Sequence, residues 1–167
     1  EVIRLVRKKV RLEKDEIYWN PYTATLDLEQ AGPLDAVINL NGMDISRGKW
    51  SDGQKQRIID SRIISTTVLV EKMKGLKHKP EVFISASAIG FYGEGGDTLL
   101  TESSPCGDFF ISDVCRQWED AALTAESAGI RTIGLRIGIV LTSAGGALAR
   151  MALPFQMGCG VIISDGK

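Results

Sequence analysis

The stretch 82–93 joins an apolar strand to residue types that can transfer a proton. It reads VFISASAIGFYG, so that Ser85 and Ser87 close an apolar run and a glycine turn leads to Tyr92. A serine hydroxyl can hydrogen-bond a carbonyl or hydroxyl group, and a tyrosine phenol can exchange a proton with it. Open α/β sheets bind ligands beyond the carboxyl ends of such strands, so the pattern predicts a ligand site here. An ordinary strand followed by a Gly/Ser turn carries the same signature.

The elements that position these residues alternate between strands and helices. The predicted strands are Val2–Val6, a weaker one within Arg11–Trp19, Asp35–Leu40, Val82–Ala86 and Arg131–Val140. The predicted helices are Ser51–Lys74 and Ser112–Ala128. Strand–helix–strand repetition with apolar strands is typical of a parallel sheet covered on both faces.

The two helices carry clear end signals. Ser51 and Gln54 have capping-box spacing, Gly75 follows the last turn of the first helix, and Gly129 follows the second. The predicted inner face of the first helix consists of Ile58, Ile59, Ile63, Leu69 and Met73. That of the second helix consists of Val114, Trp118, Ala122 and Ala125.

Length and charge limit the class of protein. The 167 residues suffice for one domain with a hydrophobic core, and a formal net charge of −1 gives no footprint for nucleic acid or an anionic membrane. No apolar run reaches the roughly 18 residues of a membrane helix. The three cysteines form no Cys-x-x-Cys pair, and His78, the single histidine, lies in a charged connector, so we expect neither a metal site nor disulfides. These features indicate a cytoplasmic protein that acts on a small molecule.

Several blocks, in order along the chain, resemble one family. They are VIRLVRK (2–8), AVINLNG (36–42), RGKW (47–50), DSRIIST (60–66), FISASAIGFYG (83–93), TESSP (101–105), RQWE (116–119), LRIGIVL (135–141) and the glycine-rich stretch 145–160. Together they resemble the extended short-chain dehydrogenase/reductase superfamily, and within it the atypical YfcH-like "epimerase family" of NAD(P)-binding proteins. The resemblance implies an α/β fold with a doubly wound parallel sheet, the NAD(P)-binding Rossmann fold.

The resemblance also implies a cofactor and the residues that meet it. Arg7 and Lys8 end the strand where the adenosine ribose would lie, and a basic pair there favours a 2′-phosphate, hence NADP(H), although two solvated charges are the alternative. The other residues that it places near the cofactor are Asn39, Leu40, Asn41, Gly42, Arg62, Ser85, Ala86 and Arg136. We expect Arg136 to pair with a carboxylate, either Glu102 or Glu119, rather than sit bare.

Two departures from the family pattern matter. The family begins with a strand and a Gly-x-x-Gly-x-x-Gly turn, which would lie in the middle of the sheet order 3-2-1-4-5-6, and this chain has neither. Without that strand, its two neighbours would keep unpaired backbone. We therefore expect 1–142 to be a partial Rossmann domain, 143–167 to lead towards a C-terminal substrate lobe, and the chain to be an interior piece of a longer protein.

The second departure concerns catalysis. The family uses a Ser together with a Tyr-x-x-x-Lys pair, but alignment on Trp118-Glu119 places Ile111 in the tyrosine register and Cys115 in the lysine register. Ser87 matches the family serine best, with Ser85 as the alternative. Tyr92 is the remaining phenol nearby and a candidate acid/base group.

Three functions remain open at this point. The first is an NADP(H)-dependent, oxidoreductase-like enzyme with Ser87 and Tyr92 at its site. The second is a non-catalytic NADP(H)-binding or redox-sensing protein, and the third is a nucleotide-sugar epimerase or dehydratase. The substrate is not identified. Relatives often dimerise through the two long helices, for which Ile64, Val68 and Leu123 are candidate contact residues.

Overall fold

The computed structural model describes residues 1–46 and 48–160. Its strands are β1 (Arg4–Val6), β2 (Glu16–Tyr18), β3 (Ala36–Asn39), β4 (Val82–Ala88) and β5 (Arg131–Ile137). Its α-helices are α1 (Asp52–Gly75), α2 (Phe110–Leu123) and α3 (Gly146–Gln156). Short 3₁₀ turns cover Pro21–Thr23, Leu28–Ala31, Ile89–Tyr92 and Thr124–Ala128. Arg47 in the RGKW block and residues 161–167 of the predicted C-terminal segment lie outside the described residues.

The strands form two sheets rather than one. β1 pairs with β2 in parallel, and the second sheet has the order β3-β4-β5, with β3 and β4 parallel. The Arg131 amide donates to the Glu81 carbonyl, so β4 and β5 begin at the same edge. No ladder joins β1 to β3 in the described part of the chain. This break lies between the two strands that flank the family's first strand in the order 3-2-1-4-5-6.

The ends of the helices follow their predicted signals. Ser51 caps α1, and its side chain accepts a hydrogen bond from the Gln54 amide. Gly75 is the last residue of α1. The second predicted helix is α2 followed by a 3₁₀ turn, and Gly129 ends it at a positive φ of 79°. β5 is shorter than predicted and stops at Ile137.

The buried face of α1 differs from the predicted one. Ile58, Leu69 and Met73 are buried, but Ile59 and Ile63 are only half-buried. The middle of the buried face is formed instead by Ser61, Ser65 and Thr66. Serine and threonine are tolerated there because their hydroxyls are satisfied; those of Ser61 and Ser65, for example, bond to carbonyls of α1 itself.

One hydrophobic core connects α1 and α2 with both sheets. Its buried residues are Ile17, Trp19, Leu26, Leu28, Leu69, Val70, Met73, Leu76, Phe83, Ala122, Ala125 and Ile130. Val37 and Asn39 share a face of the sheet with Phe83 and Ser85, and this is the face that α1 and α2 cover. On the opposite face Ile38 and Leu135 remain exposed. α1 and α2 therefore make their polar contacts with a single face of β3, β4 and β5.

The chain divides into two compact units, Glu1–Arg136 and Ile137–Lys167. The second unit contains α3, a helix that the sequence did not predict because glycines flank it and Pro154 lies within it. None of the described helices is both long and apolar enough to span a membrane.

Candidate functional site

A chain of polar contacts connects Ser87, Glu119, Arg136 and Tyr92. The Ser87 hydroxyl donates to Glu119 Oε1 at 2.6 Å. Arg136 donates to both oxygens of the same carboxylate, from Nε and Nη2, each at 2.9 Å. Its Nη1 donates to Tyr92 Oη and to the Glu102 carbonyl, both at 3.0 Å. Residues from β4, α2, β5 and the turn after β4 are thereby fixed to one another.

The guanidinium of Arg136 is enclosed as well as hydrogen-bonded. Its Cζ lies 3.5 Å from the centre of the Phe91 ring and 4.9 Å from that of Tyr92. Cation–π contact and the bidentate ion pair hold it as a bridge within the protein. A cavity of about 530 Å³ adjoins this bridge, and Tyr92, Glu102, Glu119 and Arg136 are among its lining residues.

Electrostatics keep Glu119 ionised. Burial by itself raises the pKa of Glu119, but hydrogen bonds from Arg136 and Ser87 outweigh that effect and bring the pKa below its ordinary value. The same pairing with Glu119 raises the pKa of Arg136. Because an ionised carboxylate only accepts hydrogen bonds, the proton of the Ser87 hydroxyl is committed to Glu119.

A second, buried network lies beneath the carboxyl end of β3. Asn39 Nδ2 donates to Thr66 Oγ1 at 2.9 Å and to Ser85 Oγ at 3.2 Å. Trp118 Nε1 donates to the same Thr66 oxygen at 2.9 Å. The other side of the Asn39 amide, Oδ1, accepts from the backbone of Asn41 at 3.2 Å. The amide of Asn39 is therefore fully used inside the protein.

The loop after β3 is held by α1. The Met43 amide donates to Ser61 Oγ and the Met43 carbonyl accepts from Arg62 Nη2, both at 3.2 Å. Arg62 in turn lies with its Cζ 5.2 Å from the centre of the Trp118 ring. A Cβ on Gly42 would lie only 3.0 Å from that Cζ, so a larger residue would have to displace the guanidinium by a few tenths of an ångström. Burial lowers the pKa of Arg62.

Of the residues predicted to bind the cofactor, the most exposed lie directly after β1 and β3. Arg7 and Lys8 follow β1, are exposed, and differ in their contacts: Lys8 lies 3.8 Å from Glu16, whereas Arg7 forms no ion pair with any described residue. Leu40 after β3 is exposed, and Asn41 is half-buried. Ser85 and Ala86, in contrast, are buried within β4.

The positions of the family's tyrosine and lysine hold apolar or inert side chains. Ile111 fills the space beside Gly90, where its Cγ2 lies 2.6 Å from the point that a Cβ would occupy. Cys115 is buried on α2, and burial raises the pKa of its thiol, an effect that contacts with Ala88 and Ser87 offset only in part. It is a packed helix residue and not an activated nucleophile.

The sequence predicted one connection within the site, that of Arg136 with a carboxylate, but not the others. The partner is Glu119, whereas Glu102 contacts Arg136 through its backbone carbonyl and not through its carboxylate. The acceptor role of Glu119 towards Ser87 and the double acceptor role of Thr66 leave no spacing signal, because they join residues 32, 27 and 52 positions apart.

The comparisons with known proteins agree with this architecture. The family model described as "NAD dependent epimerase/dehydratase family" matches residues 3–145. An epimerase family protein of Mycobacterium leprae is 37% identical over 166 residues, which cover 99% of this chain and 53% of that protein. The chain spans about half the length of the curated mycobacterial relatives it matches.

Two solved structures share the fold over the whole chain. One is described as a nucleoside-diphosphate sugar epimerase from Corynebacterium glutamicum, with 34% identity, a TM-score of 0.81, and coverage of 100% of this chain and 34% of that one. The other is the human epimerase family protein SDR39U1 (isoform 2) with NADPH, with 28% identity, a TM-score of 0.79, and coverage of 99% and 55%. The family model covers most of the chain, and the chain therefore belongs to the NAD-dependent epimerase/dehydratase family.

Proposed function

We propose that this protein is an NADP(H)-binding, oxidoreductase-like member of its family with a non-standard proton-transfer group. The observation that carries the cofactor choice is the exposed basic pair Arg7 and Lys8 at the carboxyl end of β1, of which Arg7 is free of any ion pair with a described residue. A 2′-phosphate would meet two cations there. The human relative whose structure was solved with NADPH supports the proposal.

The rest of the proposed cofactor site lies at the carboxyl end of β3. The backbone of Leu40, Asn41 and Gly42 and the side chain of Asn41 would contact the cofactor. Asn39 and Arg62 hold this loop by hydrogen bonds to the Asn41 amide and the Met43 carbonyl. These residues would hold the cofactor, whose chemistry, when it is bound, would be hydride transfer to a carbonyl carbon. The protein must then deliver a proton to the carbonyl oxygen, and Tyr92, or a water ordered beside it, is the proposed carrier.

A specific observation favours the second candidate, cofactor binding without turnover. Ser87 is 3% exposed and its proton is committed to Glu119, so the serine is poorly placed to donate to a substrate carbonyl. Ile111 and Cys115 replace the Tyr-x-x-x-Lys pair. A nucleotide-sugar epimerase, the third candidate, draws support from the name of the Corynebacterium structure but lacks that same pair.

Calorimetry on the full-length protein tests the cofactor proposal. We expect NADPH to bind more tightly than NADH. The double substitution Arg7→Ala and Lys8→Ala should reduce the difference between the two binding free energies by about 1–3 kcal/mol per lost phosphate contact. The double substitution Lys77→Ala and Lys79→Ala is the matched control, because it removes the same charge from the connector that precedes β4. Equal affinities for the two cofactors would overturn the proposed preference.

Hydride transfer to a panel of carbonyl compounds separates the candidates. Turnover that falls by about 10²–10⁴-fold in Tyr92→Phe identifies the proton carrier. Brisk turnover in wild type, Ser87→Ala and Tyr92→Phe alike would show that the proposed site is wrong. NADPH binding without turnover supports the non-catalytic candidate.

A further inference from the structure

Two neighbouring residues of α2 contact different parts of the proposed site. Trp118 is buried and Glu119 is partly buried, and they follow one another on the face of α2 that meets β4 and α1. We propose that Trp118 and Glu119 are positioning residues that organise the two halves of the site separately, Trp118 for the loop after β3 and Glu119 for the turn after β4. The inference rests on the proposed function, since it deepens the account of the same site.

Trp118 reaches the loop after β3 by two routes. Its Nε1 donates to Thr66, which also accepts from Asn39, and Asn39 accepts from the Asn41 amide. Its ring faces Arg62, which donates to the Met43 carbonyl. Both sides of Gly42 are thus tied, through one or two intermediate side chains, to a single indole. Residues 40–46 of this loop contain no helix or strand, so side-chain contacts such as these help to define its course.

Glu119 reaches the turn after β4 through Arg136. Its carboxylate accepts from Ser87 at the end of β4 and from two nitrogens of Arg136. Arg136 uses its remaining nitrogen for Tyr92 and the Glu102 carbonyl. An arginine that lost its carboxylate partner would be a half-buried cation free to turn towards water, and Tyr92 would lose the donor that fixes its phenol.

The two sets of contacts share no hydrogen bond, so substitutions in one set should loosen its own segment and leave the other segment unchanged. Trp118→Phe keeps an aromatic face for Arg62 and removes the indole N–H, and Thr66→Val removes the same bond from the other side. Glu119→Gln keeps the shape of the side chain and removes its charge, and Arg136→Lys removes the contacts to Tyr92 and Glu102. Asp120→Asn is the matched control, because Asp120 is the next carboxylate on α2 and its ion pair among the described residues is with Arg116 on the surface.

Amide hydrogen exchange of the full-length protein, with NADPH calorimetry beside it, tests the inference. Trp118→Phe and Thr66→Val should accelerate exchange in residues 40–46 by roughly tenfold, as expected for a loss of about 1.4 kcal/mol of local protection, and weaken NADPH binding by a similar factor. Glu119→Gln and Arg136→Lys should accelerate exchange in residues 89–104 instead and leave exchange in residues 40–46 unchanged. Asp120→Asn should change neither segment.

The outcomes distinguish the inference from the function on which it rests. If every variant loosens both segments to the same extent, or if neither segment responds, the separate positioning roles are wrong. If wild type binds neither NADPH nor NADH, the proposed function fails, while the exchange pattern still decides whether the two routes exist.

Discussion

Replacing Thr66 with valine tests the buried network beneath the carboxyl end of β3. Valine has nearly the shape of threonine but no oxygen, so Trp118 Nε1 loses its acceptor and Asn39 Nδ2 keeps only Ser85. An unsatisfied buried donor costs about 1–3 kcal/mol, so the full loss at Trp118 and the partial loss at Asn39 should destabilise the protein by about 2–4 kcal/mol. Equilibrium unfolding of the full-length protein in urea, followed by tryptophan fluorescence, measures this free energy.

Thr66→Ser is the matched control for this substitution. Serine keeps the accepting oxygen and loses one methyl group, so we expect a cost of about 1 kcal/mol. Combining Thr66→Val with Trp118→Phe should cost less than the sum of the two single changes, because both remove the same hydrogen bond. If valine proves no more costly than serine, or if the two changes are strictly additive, the hydrogen bond does not stabilise the fold as described.

Three further predictions concern other parts of the structure. The pKa of Glu119 is lower in the folded protein than its ordinary value of 4.5. Its contribution to the free energy of unfolding is therefore present above that pH and is lost as the pH falls through the folded pKa. In acid, the free energy of unfolding of Glu119→Gln should accordingly depend less on pH than that of wild type. Burial raises the pKa of the Cys115 thiol, so iodoacetamide at pH 7.5 should leave Cys115 unmodified in the native protein and modify it fully in urea, and rapid native labelling would contradict this. Leu123 is 47% exposed on α2, where it is a candidate contact of a dimer formed through the two long helices. Leu123→Glu should therefore shift the full-length protein from dimer towards monomer in sedimentation at tens of micromolar. A wild-type protein that is already monomeric at that concentration would contradict the proposed dimer interface.

Local rules predicted most of the secondary structure. Ser51 and Gly129 mark helix ends in the structure as they do in the sequence, because a capping hydroxyl and a left-handed glycine act within a few residues. The inner face of α2 was also predicted correctly, since Val114, Trp118 and Ala122 follow the helical period and are all buried.

The buried face of α1 could not be predicted in the same way. Hydropathy treats Ser61, Ser65 and Thr66 as residues for the surface, and only the folded partners show that their hydroxyls are satisfied. The bonds of the Asn39 amide to Thr66 and Ser85 could not be predicted either, because both partners lie far from Asn39 along the chain. Long-range polar contacts depend on strand register and helix packing, which no local pattern contains.

The candidate site was predicted as a set of residues but not as an arrangement. Ser87 and Tyr92 were named from a strand end and a glycine turn, and Arg136 from the family resemblance. The structure brings them together through Glu119. The sequence predicted Glu119 only as a partner for Arg136, and nothing in its spacing indicates that it also accepts a hydrogen bond from the Ser87 hydroxyl.

A structure of the full-length protein with NADPH tests the central claim most directly. We expect the 2′-phosphate within about 3 Å of Arg7 or Lys8 and the backbone of Asn41 and Gly42 along the cofactor. The contacts that join Ser87, Glu119, Arg136 and Tyr92 should still be in place. A cofactor that binds with its 2′-phosphate away from both basic residues, or that fails to bind at all, would contradict it.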